Sequence, residues 1–560
     1  MPTLQFKGKN IIWNHHLSVP YHTLEEVEEL NFQPEKGNDN IIIEGDNLLA
    51  LKALIPEYAG KVKCVYIDPP YNTGKEEWVY SDKVNSPLIT EWFKSVVGKE
   101  DLTRHDKWLC MMVPRLKLLR ELLSKEGVIF ISLDNNEAFN FKLIMDEIFQ
   151  EENFLGVIIV QTATDNNPTQ ISTEHEYMFC YSRDKEYQSN WEAKSKEADL
   201  IQEKYLELKE IHKDNISEIQ TKLRSWVKDN KANLDKVTHY NYVDEIGVFY
   251  PGNPSNTRMG GYTFDIIHPV TKKVCSKPEY GYRWPDKTFW AADEKKDVLW
   301  GIDETTIPKI KKRLETVTAS LKSIIYEDGR SASKEIEQLL GKDFFKNPKS
   351  PKILKKVFEY CTEENDIILD SFGGSGTTGQ AVMQLNEDDG GNRKFILIQM
   401  KEDSEKEPNK NICLDKTRTR IQKVIEAYNI NSGFKYLRVG TAIDPEQMLE
   451  GNLPTYEQFA KYIYYLGTGE NLKDIKAINP KTHFVGNHGS QDFYLIYEPD
   501  LDSLSKLALN LSLAEDIVKN SPNKRRMIYA PACFLDADYM EEKQIEFVSI
   551  PFNLFEKKSN

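Results

Sequence analysis

An alternation of two patterns does most to restrict the fold. Short apolar runs of strand length occur at residues 41–43 (III), 64–67 (CVYI), 128–133 (VIFISL), 155–160 (LGVIIV) and 177–181 (YMFCY). Helical patterns lie between them: LLALKAL at 48–54, and WLCMMVPRLKLLRELLSKEG at 108–127, whose Gly127 is the expected stop. The grammar returns far downstream as IILDSF (367–372), a Gly-rich turn, TTGQAVMQL (377–385) and FILIQM (395–400). Strands alternating with helices predict a doubly wound, mostly parallel α/β sheet, assembled here from two distant stretches of chain.

Between the two stretches the composition changes. A charged helix is expected over 195–227, followed by strand-and-turn sequence rich in Gly, Pro and aromatics at 242–264. The expected division is therefore 1–184 for one half of the sheet, 185–340 for an insert, 341–430 for the other half, and 431–560 for a C-terminal α+β domain. In that last part KYIYYL, DFYLIYEP, RRMIYAPACF and EFVSIP read as strands, and TYEQFAKYI and DSLSKLALNLS as helices.

A chain of 560 residues, 40% hydrophobic and 29% charged, has the composition of a folded soluble protein with several domains. It shows neither a long apolar run nor a signal-peptide pattern, so a cytoplasmic location is expected and no membrane partner. The seven cysteines are scattered without CxxC spacing, which argues against a disulfide framework or a zinc site; no metal is expected. A net charge of −15 disfavours a nucleic-acid partner unless basic residues cluster locally. They do so in PKIKKR (308–313) and FFKNPKSPKILKK (344–356), and Arg283 and Trp284 add a base and a ring in YGYRWPDKTFW.

Two stretches carry chemistry. In CVYIDPPYNTG (64–74) a strand runs into Asp68, Pro69, Pro70 and Tyr71 at what should be the carboxyl edge of the sheet, where open α/β folds bind ligands. Proline lacks an N–H, so this turn offers acceptors without matching donors. Asp68 and a backbone carbonyl can each take one hydrogen of an amine attached to an aromatic ring, and Tyr71 supplies a flat face. The exocyclic amine of a nucleobase fits. The bland reading, a strand-ending turn with Asp68 capping a helix and Tyr71 packed on the core, stays open for the motif alone. In DSFGGSGTTG (370–379), Asp370 ends a second strand, and Gly373, Gly374 and Gly376 precede a helix whose first N–H groups are open to a ligand, a merely structural turn being the other reading. The spacing is neither that of a dinucleotide fingerprint nor that of a P-loop.

Together these stretches resemble the S-adenosylmethionine-dependent amino-methyltransferases of DNA. Asp68-Pro69-Pro70-Tyr71 matches their [D/N/S]PP[Y/F/W] signature and Phe372-Gly373-Gly374-Ser375-Gly376 their FxGxG signature. The catalytic motif precedes the cofactor motif, as in the β class. GDNLLALKAL, DPPYNTG, PEYGYRWPDKTFW and GGNRKFILIQ are most similar to the modification (Mod) subunit of type III restriction-modification systems, over roughly residues 1–430.

The resemblance implies a Rossmann-like methyltransferase sheet with an inserted target-recognition domain. It implies Asp68, Pro69, Pro70 and Tyr71 as catalytic. It places Asp46, Asn47, Phe345, Lys349, Asp370, Phe372, Gly374, Gly376, Thr377 and Gln399 at S-adenosylmethionine. An acid commonly holds the cofactor ribose where this chain has Gln399, with Glu402 nearby; either residue remains open. It also implies methyl transfer to N6 of an adenine flipped out of double-stranded DNA, a homodimer, and a helicase-nuclease restriction subunit as partner. A solitary or type II adenine or cytosine-N4 methyltransferase, or a catalytically idle DNA-recognition module, are the alternatives.

Overall fold

Ten strands form the large sheet, in the spatial order Tyr21–Glu26, Lys435–Ile443, Ile41–Glu44, Lys394–Gln399, Ile367–Asp370, Val62–Ile67, Leu123–Leu133, His175–Ser182, Phe154–Gln161 and Ile324–Tyr326. The computed structural model describes residues 3–37, 39–73, 104–161, 170–213, 215–342, 344–345, 348–401 and 409–550. The six strands from Lys435–Ile443 through Leu123–Leu133 are mutually parallel, and His175–Ser182 runs against them. Ile42, Ile43, Val65, Ile67 and Leu369 are fully buried, as expected of parallel strands covered on both faces.

The topology reverses between Ile367–Asp370 and Val62–Ile67. From the first the chain crosses through helix Thr377–Asp389 to Lys394–Gln399 on one side; from the second it crosses through Arg104–Leu122 to Leu123–Leu133 on the other. Right-handed crossovers in opposite directions put those helices on opposite faces and open a crevice at the carboxyl ends of the two strands. Ile368 pairs with Cys64 and Leu369 with Val65, a register that brings Asp68 level with Phe372, at the start of the Gly-rich turn.

Helices Asn47–Tyr58, Arg104–Leu122 and Ala138–Phe149 share one core with the sheet, in which Trp108, Met112, Leu116 and Phe141 are completely enclosed. The second of these stops at Leu122, not at the expected Gly127. Gly127 lies inside the following strand, where a β-carbon would come within 2.9 Å of the Val62 and Ser124 carbonyl oxygens. Close approach of two backbones, and not a helix cap, explains this glycine.

Residues 191–321 form a separate compact unit, framed by an antiparallel pair of strands, Glu192–Lys194 and Thr318–Ser320. The single helix expected over 195–227 is two, Lys196–His212 and Ile216–Asp229. Lys213 at φ 52° breaks them, and the Asn215 side chain caps the second by accepting from Glu218 N–H. They bury Ile201, Tyr205 and Leu208 with Ile219, Leu223 and Val227. Trp284 stacks between Tyr282 and Phe289, at 4.8 and 5.3 Å, in a second core of this unit; Arg283 beside it is exposed.

The sequence division at residue 430 falls just before strand Lys435–Ile443, which belongs to the large sheet. Beyond it a four-stranded sheet packs with helix Tyr456–Thr468. That helix absorbs KYIYYL, which had read as a strand. A capping box at Thr455 and Gln458, burial of Phe459, Tyr462 and Ile463 on one face, and Gly469 at φ 70° override the β preference of its tyrosines. DSLSKLALNLS is likewise mostly not helical; the helices there are Leu501–Leu504 and Leu511–Asn520. Among the described residues no helix is long and apolar enough to cross a membrane.

Candidate active site

Asp68 leaves strand Val62–Ile67 at the crevice, half buried. The Tyr71 hydroxyl lies 2.8 Å from Asp68 Oδ1 and 2.9 Å from Glu176 Oε2, so its proton serves one of two carboxylates. Lys349 Nζ donates to Tyr71 Oη and to Glu176 Oε2, both at 2.5 Å, and stands 3.4 Å from Asp68 Oδ1. Burial raises the Asp68 carboxyl above its ordinary range, opposed by Lys349 and reinforced by Glu176. Burial alone would lower the Lys349 ammonium, but Asp68 and Glu176 override it and hold the group charged.

The double-proline turn is anchored by a buried tryptophan. Trp108, fully buried on helix Arg104–Leu122, donates Nε1–H to the Pro70 carbonyl at 2.7 Å and pins the loop just after Pro69. Asn72, at φ 58°, donates to Glu137, which is completely buried and also accepts from Asn140 at 3.2 Å; His105 Nδ1 lies 2.7 Å from the same carboxylate.

On the adjacent strand Asp370 is enclosed. It accepts from Phe372 N–H at 2.9 Å and Thr378 Oγ1 at 2.5 Å, and burial pushes its carboxyl up to about 7. The Gly-rich turn is held from two sides: Gly374 N–H donates to Gln399 Oε1 at 2.8 Å and Thr417 Oγ1 donates to the Gly374 carbonyl at 2.6 Å. Gly374 and Gly376 have φ 51° and 86°, a region glycine enters without a steric cost. A β-carbon at Gly374 would stand 3.6 Å from the Phe345 ring, in the space between ring and turn. The Ser371 hydroxyl is buried without a hydrogen-bond partner among the described residues.

Beneath the turn lies Arg420, wholly buried, which donates to Ser375 Oγ (2.6 Å), Thr377 Oγ1 (2.8 Å) and Gln380 Oε1 (2.9 Å). The GDN segment meets the same turn: Asn47 donates to the Ser371 carbonyl at 2.9 Å, and Arg115 donates to Asn47 Oδ1 at 2.5 Å. Asp46 caps helix Asn47–Tyr58 through Leu48 N–H at 2.8 Å and lies 3.5 Å from Arg115.

Asp68, Tyr71, Lys349, Phe345, Asn47, Gln399 and the Gly-rich turn are thus brought together at the carboxyl ends of neighbouring strands. Lys349 bridges the two motifs, with its carbonyl 3.4 Å from Thr377 Oγ1 and its ammonium among the DPPY groups. Glu402 lies outside the described residues, as does Lys346 of the basic clusters. Sequence reasoning missed Glu176, Trp108, Arg115 and Arg420. Glu176 sits in a strand pattern (HEYMFCYS) whose one buried-side carboxylate was the available signal. The basic clusters are largely spent on carboxylates. Lys311 and Arg313 pair with Asp244 at 2.6 Å, Arg313 also with Asp297 at 2.6 Å, and Lys355 with Asp388 at 2.7 Å. Arg526, in the strand read from RRMIYAPACF, is buried against Ser521. Among the described residues no group of three or more His, Cys, Asp or Glu is placed to hold a metal ion.

Comparison with known proteins gives a match between residues 62–410 and the family model described as DNA methylase. Over 444 residues, 75% of this chain, the sequence is 34% identical to the type III restriction-modification enzyme EcoP15I Mod subunit of Escherichia coli. It is 30% identical over 77% of the chain to the StyLTI Mod subunit of Salmonella typhimurium, and 30% identical over 75% to the EcoPI Mod subunit of Escherichia phage P1. These matches span 68%, 64% and 68% of the relatives' own lengths, so the chain covers about two thirds of them.

Proposed function

Because the chain belongs to the DNA methylase family, we propose that it methylates N6 of an adenine flipped out of double-stranded DNA, as the modification and recognition subunit of a type III restriction-modification system. The observation that carries the reading is the pairing of Ile368 with Cys64 and Leu369 with Val65, which sets the DPPY loop beside the FxGxG turn at a topological switch point.

The methyl donor is S-adenosylmethionine, and the turn fits it: a glycine cradle facing Phe345, a Ser371 hydroxyl without a partner among the described residues and the N-terminus of helix Thr377–Asp389. Asp46, Asn47, Phe345, Lys349, Asp370, Phe372, Gly374, Gly376, Thr377 and Gln399 make up its surroundings. Bound there, it supplies a methyl group already activated by its sulfonium. Asp68 and the Pro69 carbonyl accept the two N–H bonds of the adenine amine and draw its nitrogen toward tetrahedral geometry. Tyr71 offers its ring to the extruded base. Trp108 keeps the loop rigid, so the amine meets the methyl without a costly search. Asp in the first motif position supports adenine over cytosine.

By the same reading the insert, 185–340, recognises the target sequence, and 431–560 serves assembly into a homodimer and with a helicase-nuclease restriction subunit, in the cytoplasm. The test is transfer of labelled methyl to DNA followed by base analysis. Wild type yields N6-methyladenine at one sequence, and Asp68→Ala binds S-adenosylmethionine but transfers nothing. A fully active Asp68→Ala overturns the proposal.

A further inference from the structure

Building on the methyltransferase reading, we infer that Glu176 is a positioning residue of the reaction: it holds the Lys349 ammonium off Asp68 and keeps the site's net charge negative.

The geometry is asymmetric. Lys349 Nζ is 2.5 Å from Glu176 Oε2 and 3.4 Å from Asp68 Oδ1, so its strong charge-assisted bond goes to the strand carboxylate. All three side chains are partly open to the crevice, at 21%, 15% and 27% exposure for Lys349, Glu176 and Asp68. They therefore sit at the wall that a base would meet. The Tyr71 hydroxyl touches all three and fixes their spacing.

The charge balance gives this arrangement its consequence. Asp68 and Glu176 with Lys349 leave one net negative charge. In the transfer the amine lone pair forms the new N–C bond as the methyl leaves sulfur with its bonding electrons behind on a neutral thioether. The nitrogen turns cationic and then gives a proton to Asp68 or to solvent. A net negative wall favours that cation. Without Glu176, Asp68 is the carboxylate that the described residues leave beside Lys349; the ammonium closes the 3.4 Å gap, occupies the acceptor the amine needs and brings the wall to neutrality.

The experiment is a double-mutant cycle on the full chain, with S-adenosylmethionine and a DNA fragment that wild type methylates. Removing one unit charge at about 6 Å and an effective dielectric of about 20 corresponds to roughly 10²-fold in rate. Glu176→Gln is therefore expected to lose roughly 10²-fold in single-turnover rate, with the dissociation constants for cofactor and DNA changed by less than about threefold. Glu176→Asp retains most of the rate. Glu176→Gln with Lys349→Met, assayed at saturating S-adenosylmethionine because Lys349 also borders the cofactor turn, recovers at least about tenfold over Glu176→Gln alone, a rescue that a merely structural role does not produce. Three results overturn the inference: a wild-type rate for Glu176→Gln, loss of cofactor binding in it, or a double variant no faster than the single. If wild type itself methylates no DNA, it is the methyltransferase reading that has failed.

Discussion

Asp370→Asn tests how the Gly-rich turn is built. The carboxyl is 3% exposed, so solvent does little to screen it, and burial raises it from 3.8 to about 7. Folding therefore favours the protonated acid. The stabilisation is complete below about pH 4 and is lost as pH rises through 7, because the charged form must be kept in an enclosed site. At about 1.36 kcal/mol per tenfold change, the loss amounts to at most ~4 kcal/mol. Asparagine preserves the contacts: its oxygen accepts from Phe372 N–H and its amide donates to Thr378 Oγ1, replacing bonds of 2.9 and 2.5 Å. With an unfolding entropy of ~2.1 cal/mol/K per residue over the larger unit, residues 1–190 with 322–560, 1 kcal/mol moves Tm by about 1 °C. Thermal unfolding of both proteins from pH 5 to pH 8 is the assay. The wild type should fall by about 3 °C relative to Asp370→Asn across that range, most steeply between pH 5 and 6 and flattening above pH 7. Parallel curves would show that Asp370 is ionised throughout, refuting the claim that burial controls it.

Two further substitutions probe the two halves separately. Trp108→Phe keeps a ring in the core but strands the Pro70 carbonyl, at a cost of about 1–3 kcal/mol; kcat should fall about tenfold with cofactor affinity unchanged, and an unchanged kcat would show that the loop does not need this anchor. Gly374→Val places a branched side chain at φ 51° against Phe345, straining the turn by about 1–3 kcal/mol and filling its cradle; calorimetry should show S-adenosylmethionine binding weakened at least tenfold, whereas a Kd within twofold of wild type would place the cofactor elsewhere.

The sequence was most legible where residue type and backbone need coincide. The runs at 41–43, 64–67 and 395–400 became strands because continuous apolar residues suit both-faced burial, and the two motifs landed at their carboxyl ends. It misled where local preference and packing disagreed. KYIYYL is rich in residues that favour strands, yet a capping box and one buried face make it helical. The charged segment over 195–227 looked continuous because periodicity does not register a single reversal at Lys213. Lysines in PKIKKR looked available because composition is blind to Asp244, a partner roughly 67 residues upstream of Lys311.

By itself the sequence determined the chemistry of each motif: acceptors without donors in DPPY, and a bend only glycine makes easily at Gly374 and Gly376. Tertiary structure alone decided what those motifs meet. Residues 278 positions apart, Tyr71 and Lys349, come within 2.5 Å only because the strand before Tyr71 and the strand reached from Lys349 through helix Pro351–Cys361 are neighbours in one sheet. Glu176 joins them from a strand that runs the opposite way. Charges act through space and not along the chain, so the balance of one ammonium between two carboxylates emerges only when the sheet closes.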